Sequence, residues 1–305
     1  MFKRKLLNAG WLSILLLGSA INVSASEISV LATIKPIQLI VSQITQGVTQ
    51  ESSALLPPGI SPHDVSLKIS AAKRVKQASL ILWLGPDVEP YLVKMMGAKA
   101  PSQQLNLSLL PELQHLALRS LAGGHHHGHH EEFEVDPHIW LSPENSLQMA
   151  IALVEKLSVL DSVNAPVYQR NLEEFKRDIE KLNVFRKSFA KQKSGFVVHH
   201  DAYQYLEAFM GLTPAAVVTV EPEMSPGVRH ITEVVAVIKT QNIQCFVAGP
   251  TMSPRLVSLL FKGQPVSRYR VAELDPLAGG PFETYAAFME DLSLRLGECV
   301  RNKVN

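Results

Sequence analysis

An excess of charge is the first thing missing from this chain. Lys and Arg number 29 and Asp and Glu 28 in 305 residues. Setting aside Lys3, Arg4 and Lys5 leaves 26 against 28, a formal −2 with His neutral. That balance gives no ground for binding nucleic acid or an anionic membrane surface. Long apolar runs are missing beyond the N-terminus, so a soluble chain is expected. There is no Gly-x-x-x-x-Gly-Lys-Ser/Thr phosphate loop, so the chain should not hydrolyse ATP itself. There is no His-Glu-x-x-His pattern, which argues against a zinc hydrolase. Cysteine is scarce, with only Cys245 and Cys299.

What the N-terminus does have is a secretory signal. Lys3, Arg4 and Lys5 form its charged part, residues 11–20 its apolar part, and small residues follow at 23–26. The apolar part is shorter than the roughly 20 residues that span a bilayer. Cleavage is expected after Ala25 or Ser26, which removes 1–26 and exports the rest. No lipobox cysteine follows, which disfavours an anchored adhesin. In an oxidising compartment the even pair Cys245 and Cys299 reads as a structural disulfide. It would close a loop of about 55 residues and contribute roughly 3–4 kcal/mol on the chain-entropy model. Neither cysteine sits at a strand-end turn, so neither is expected to bind metal.

Apolar strand-like runs alternate with helical patterns. Strands are expected at 30–34, 53–56, 80–84 and 105–109, with helices at 36–45, 71–77, 88–96 and 143–160. A polar, mixed-charge helical stretch covers 167–191. The alternation then restarts, with strands at 195–199, 215–220, 244–248 and 269–274 and helices at 203–210, 228–240, 255–261 and 281–295. Alternation of this kind predicts an α/β fold of two lobes, each a mainly parallel sheet flanked by helices. The expected divisions are 27–166, a connector helix 167–192 and 193–305. Ligands of such sheets bind beyond the carboxyl ends of the strands.

Histidine is concentrated. His125, His126, His127, His129 and His130 lie in a Gly-flanked, acidic loop, 123–132, that reads as a metal-collecting segment. His63 follows a strand in a Pro- and Gly-rich turn. His138 stands in Asp136-Pro137-His138-Ile139-Trp140-Leu141, at the entrance of a helix. His199 ends a strand and His200 follows it; alternation sends them to opposite faces, and spacing does not choose between them. Asp275 follows the last strand. Three imidazoles and a carboxylate between lobes suit zinc, with Zn–N distances of roughly 2.0–2.1 Å; manganese would favour more oxygen. Asp64, Asp136 and Asp201 could orient the neighbouring imidazoles or simply form turns and caps. His115 and His230 have no ligand-like setting. Binding would compete with protons, weakening below pH ~6.5.

These segments resemble the periplasmic zinc-binding proteins of high-affinity zinc ABC importers, within the metal-binding cluster of solute-binding proteins. The carriers are Ser61-Pro62-His63-Asp64, the turn at 136–141, His200-Asp201-Ala202-Tyr203, Pro222-Glu223-Met224-Ser225-Pro226-Gly227 and Leu274-Asp275-Pro276-Leu277. The His-rich loop and the late cysteine pair match as well. The resemblance implies two lobes joined by a long helix with zinc between them, and His63, His138 and His200 as ligands. It also implies delivery to a membrane permease with a separate ATPase, small lobe motion, a monomer, and binding rather than catalysis. Manganese-binding relatives tend to carry Glu where His200 stands; manganese or nickel is the alternative cargo. Two departures stand out. Pro62 occupies a position that is acidic in some zinc members, leaving Asp275 or water as the fourth ligand. Gly249 stands where relatives often carry Glu.

Overall fold

The computed structural model describes residues 28–48, 52–62, 65–119, 135–189, 195–220, 226–250 and 252–301. The expected signal segment 1–26, His63 with Asp64, the histidine run of 123–132 and residues 222–225 of the Pro-Glu-Met-Ser motif lie outside them.

The alternation expected from sequence is present. Four strands, β1 (Val30–Ala32), β2 (Ser52–Ala54), β3 (Leu80–Trp83) and β4 (Gln104–Asn106), form one parallel sheet in the order β2-β1-β3-β4. Four more, β5 (Phe196–His200), β6 (Ala216–Thr219), β7 (Cys245–Ala248) and β8 (Arg270–Glu273), repeat that order as β6-β5-β7-β8. The helices are α1 (Lys35–Ile44), α2 (Ile69–Gln77), α3 (Val93–Met96), α4 (Pro143–Leu160), α5 (Ala165–Arg186), α6 (Gln204–Met210), α7 (Val228–Thr240), α8 (Pro254–Leu260) and α9 (Tyr285–Val300). Among the described residues no helix is long and apolar enough to cross a membrane.

Sheets covered on both faces read as continuous apolar runs, and β1, β3 and β7 are buried along their whole length. Strand alternation divides each run between two cores. In the first sheet Leu31, Ile81 and Trp83 pack with Val75 of α2 and Met96 of α3. In the second Val197, Phe246 and Ala248 pack with Val234 and Ile238 of α7 and Leu260 of α8. The opposite faces, with Val30, Leu80, Leu82, Phe196, Val198, Cys245 and Val247, belong to a single large core with α1, α4, α5 and α9. Helix α5, polar by composition, buries Tyr168, Leu172, Phe175, Ile179 and Leu182 at helical spacing. That stripe touches α1 and α4 beside the first sheet and α9 beside the second.

Several boundaries differ from expectation, each for a local reason. The long polar helix ends at Arg186 rather than 191 and tightens into a 3₁₀ turn at Lys187–Phe189. The stretch 88–96 begins only at Pro90, as a 3₁₀ turn Pro90–Leu92 followed by α3, because proline is accommodated in a first turn. The stretch 105–109 is strand only to Asn106, whose side chain accepts from the Ser108 amide and starts a 3₁₀ turn. The last helix runs from Tyr285 to Val300 rather than 281–295. Thr284 caps it by accepting from the Ala287 amide at 3.1 Å.

One buried acid stands just beyond the carboxyl end of β3. Glu89 is fully buried; its Oε2 accepts from the Leu84 amide at 2.6 Å and its Oε1 from the Tyr91 hydroxyl at 3.2 Å. Burial pushes its carboxyl up to about 7, against the pull of those donors. An acid raised on folding favours the native state while it is protonated and costs stability as pH rises through its folded value. From pH 5 to 8 this group is expected to remove about 3 kcal/mol. Glu89→Gln, which stays neutral, should lack that loss. Thermal melts of both proteins at pH 5 and pH 8 check it: equal pH dependence in the two would refute the assignment.

Candidate metal site

The repeated strand order places a reversal of strand order between β1 and β3, and again between β5 and β7. Crevices form beyond the carboxyl ends of strands at such points. His200 is the last residue of β5, paired in register with Thr219 of β6. Alternation puts it on the same face as Phe196 and Val198, toward the large shared core, and puts His199 on the other face. His199 is half-buried, and burial lowers its pKa.

His138 reaches His200 from the turn before α4. Their rings lie with centroids 5.3 Å apart at a steep angle of 75°. Both residues are buried, at 4% and 9% exposure. Asp136 holds His138 twice: its Oδ1 accepts from the His138 amide at 2.9 Å and from ring Nδ1 at 2.8 Å. A carboxylate on Nδ1 favours the tautomer with the proton on Nδ1 and a lone pair on Nε2, the form in which an imidazole binds metal. A short 3₁₀ turn, Ile139–Leu141, then leads into α4, where Ser142 caps by accepting from the Asn145 amide. Trp140 lies 5.2 Å from the His138 ring. It donates from Nε1 to the Pro276 carbonyl at 2.7 Å, and its own carbonyl accepts from the Tyr285 hydroxyl at 2.8 Å.

That bond from Trp140 brings the 275–279 turn alongside. Asp275 itself faces back into this turn: Oδ1 accepts from the Leu277 amide at 2.9 Å and Oδ2 from the Gly279 amide at 2.8 Å. Gly279 has no room for a side chain, since a Cβ there would stand 2.3 Å from Asp275 Oδ2. The same position is 3.8 Å from Gly59 Cα, so the turn leading toward His63 adjoins the Asp275 turn. Among the described residues no three His, Cys, Asp or Glu side chains are grouped to hold a metal. The structure brings together His138 and His200, and Asp275 does not join them as a third. His63 and the five histidines of 125–130 lie outside the described residues.

Residues 30–299 match the family model described as zinc-uptake complex component A, periplasmic. The chain belongs to this zinc-uptake component family. It is 32% identical to the high-affinity zinc uptake system protein ZnuA of Yersinia pestis, across 95% of this chain and 96% of that protein. A crystal structure of ZnuA superposes with a TM-score of 0.74 at 20% identity, covering 90% of this chain and 99% of that one. The solute-binding protein FpvC of Pseudomonas aeruginosa, in complex with Mn2+, superposes with 0.74 at 19% identity over 90% and 99%. At such identities these two structures establish the fold alone.

This member of the zinc-uptake family carries one feature that sequence reading missed. Arg119 donates from Nη1 to Asp201 Oδ1 at 2.7 Å, and its Nη2 pairs with Glu207 of α6. Burial opposes its charge, but the hydrogen bond and charge of Glu207 and the charges of Asp201 and Asp136 raise its pKa overall. Burial pushes Asp201 up to about 6 and Glu207 up to about 7, with Arg119 pulling both down. Asp201 therefore pairs with arginine, and Asp136 is the carboxylate that meets the His138 ring. His230 is engaged elsewhere, with Nε2 2.9 Å from the Val217 carbonyl. The pair Cys245 and Cys299 is a disulfide, as expected, with Cα atoms 5.4 Å apart.

Proposed function

We propose that this protein captures zinc in the periplasm and delivers it to the membrane permease of an ABC importer, whose separate ATPase supplies the energy. Zinc is held by His63, His138 and His200, with Asp275 or water at the fourth position. The 123–132 histidines gather zinc more weakly ahead of that site. The chain works as a monomer, in two lobes with α5 as connector, and binds without turnover. Cleavage of 1–26 releases it into the periplasm. The observation that carries this reading is the buried pair His138–His200, with His138 Nδ1 held 2.8 Å from Asp136 Oδ1. Two imidazoles facing each other, one at the end of β5 and one in the turn before α4, supply nitrogen donors that suit zinc. Family membership supports the same cargo.

The test is a competitive titration of the chelator-stripped mature protein with zinc, against a chromophoric chelator and with manganese in excess. One tight zinc site plus weaker sites, undisturbed by manganese, is the expected result. Weak multiple binding alone would mean that only the histidine run takes metal.

A further inference from the structure

Arg119 lies 82 residues from Asp201 and 88 from Glu207, beyond the first sheet, while Asp201 stands in the turn after β5 and Glu207 in α6. It is held there by its own neighbours. The Leu116 amide donates to the Tyr205 hydroxyl at 3.1 Å, and that hydroxyl donates to the Asp136 carbonyl at 3.0 Å. The Asp136 amide donates back to the Leu116 carbonyl at 2.7 Å, and Ala117 bridges to Val135. The chain around Arg119 thus touches both the turn that carries His138 and the helix that follows His200.

Its charge has a second consequence. Asp136, Asp201 and Glu207 are all buried, at 0%, 2% and 1% exposure. Asp136 Oδ2, Asp201 Oδ2 and Glu207 Oε1 have no hydrogen-bond donor among the described residues. A single guanidinium therefore stands among three buried carboxylates. One of these, Asp201, is the residue after His200. Another, Asp136, is the one that holds His138. Without Arg119, Asp201 Oδ1 and Glu207 would lose the donor that joins them, and buried carboxyl groups without a donor are costly. They would relax by moving toward other donors, and Asp201 is the residue next to His200.

We propose that Arg119 is a positioning residue for zinc binding: its fork to Asp201 and Glu207 fixes the β5–α6 turn so that His200 meets His138. The inference rests on the zinc reading given above. The planar fork matters because two acceptors must be held at once, which a lysine ammonium does less well.

Arg119→Met, Arg119→Lys and Glu207→Gln are compared with the unsubstituted protein, all chelator-stripped. Zinc affinity is read by competition, and site geometry by the visible absorption of the cobalt(II)-loaded proteins. Arg119→Met is expected to weaken zinc at least ~10-fold, the scale for losing a group that orients a ligand, and to alter the cobalt spectrum. Arg119→Lys should recover part of both, and Glu207→Gln should show a smaller loss with the same spectral trend. A merely structural arginine would lower the melting temperature and leave the cobalt spectrum of the folded fraction unchanged; that result overturns the proposal. So does an Arg119→Met affinity within twofold of the unsubstituted protein. Should Arg119→Met fail to fold by circular dichroism, the other two decide, and both within twofold overturns it. Absence of a tight zinc site in the unsubstituted protein refutes the zinc reading instead, separately from any difference among variants.

Discussion

His138→Ala is expected to weaken tight zinc binding by more than ~100-fold, beyond the 10–100-fold that loss of an orienting partner costs. The reason lies in how the ring is held. Nδ1 meets Asp136 at 2.8 Å, which makes Nε2 the nitrogen that would face a metal. The ring is buried against Trp140 and His200, so its rotamer is fixed before metal arrives and little ordering entropy is lost on binding. Asp136→Asn should fall between, because an amide can offer its oxygen to Nδ1–H but lacks the charge that raises imidazole basicity. His230→Ala is the control, since its Nε2 is satisfied by a backbone carbonyl away from the pair. Competitive zinc titration of the three variants measures this. An affinity for His138→Ala within tenfold of the unsubstituted protein would remove His138 from the site.

Much of the fold was legible because parallel sheets leave a plain trace. Strands β1, β3 and β7 are buried on both faces, so each is a short unbroken apolar run. The helices between them have their own period. What blurred was the ends of elements, where one side chain decides: Thr284 at the start of α9, Asn106 after β4. The candidate site was legible where its partners are neighbours in sequence. Asp136 and His138 are two residues apart, and of the two roles open to Asp136 the hydrogen bond to the imidazole is present. The choice between His199 and His200 was not legible from spacing alone. It depends on which face of β5 meets the shared core, a property of packing. The carboxylate of Asp275 follows local turn chemistry, accepting from amides two and four residues on. The Arg119 fork leaves no local pattern at all, because it joins residues that only the folded chain brings together.

Removing the disulfide should produce the largest change in stability, and it should spare zinc binding. Cys245 opens β7 and Cys299 lies in the last turn of α9, with 54 residues of separation. Both are buried, at 0% and 4% exposure. A cross-link over a loop of that length removes about 4 kcal/mol of freedom from the unfolded chain. Cys245→Ala with Cys299→Ala is therefore expected to lower the melting temperature by roughly 5–9 °C for a protein of this size. The cross-link is at the start of β7, whereas the candidate ligands gather beyond the opposite, carboxyl ends of the strands. Zinc affinity at 25 °C should accordingly stay within twofold of the unsubstituted protein. Calorimetry and the zinc titration, run on the same double variant, separate the two effects. A melting loss under about 2 °C would show that the α9–β7 packing holds without the cross-link, because the entropy it removes would then be absent from the reduced unfolded chain already. A large loss of zinc affinity would instead show that α9 transmits strain through Tyr285 to the Trp140 carbonyl, the bond that ties this helix to the His138 turn.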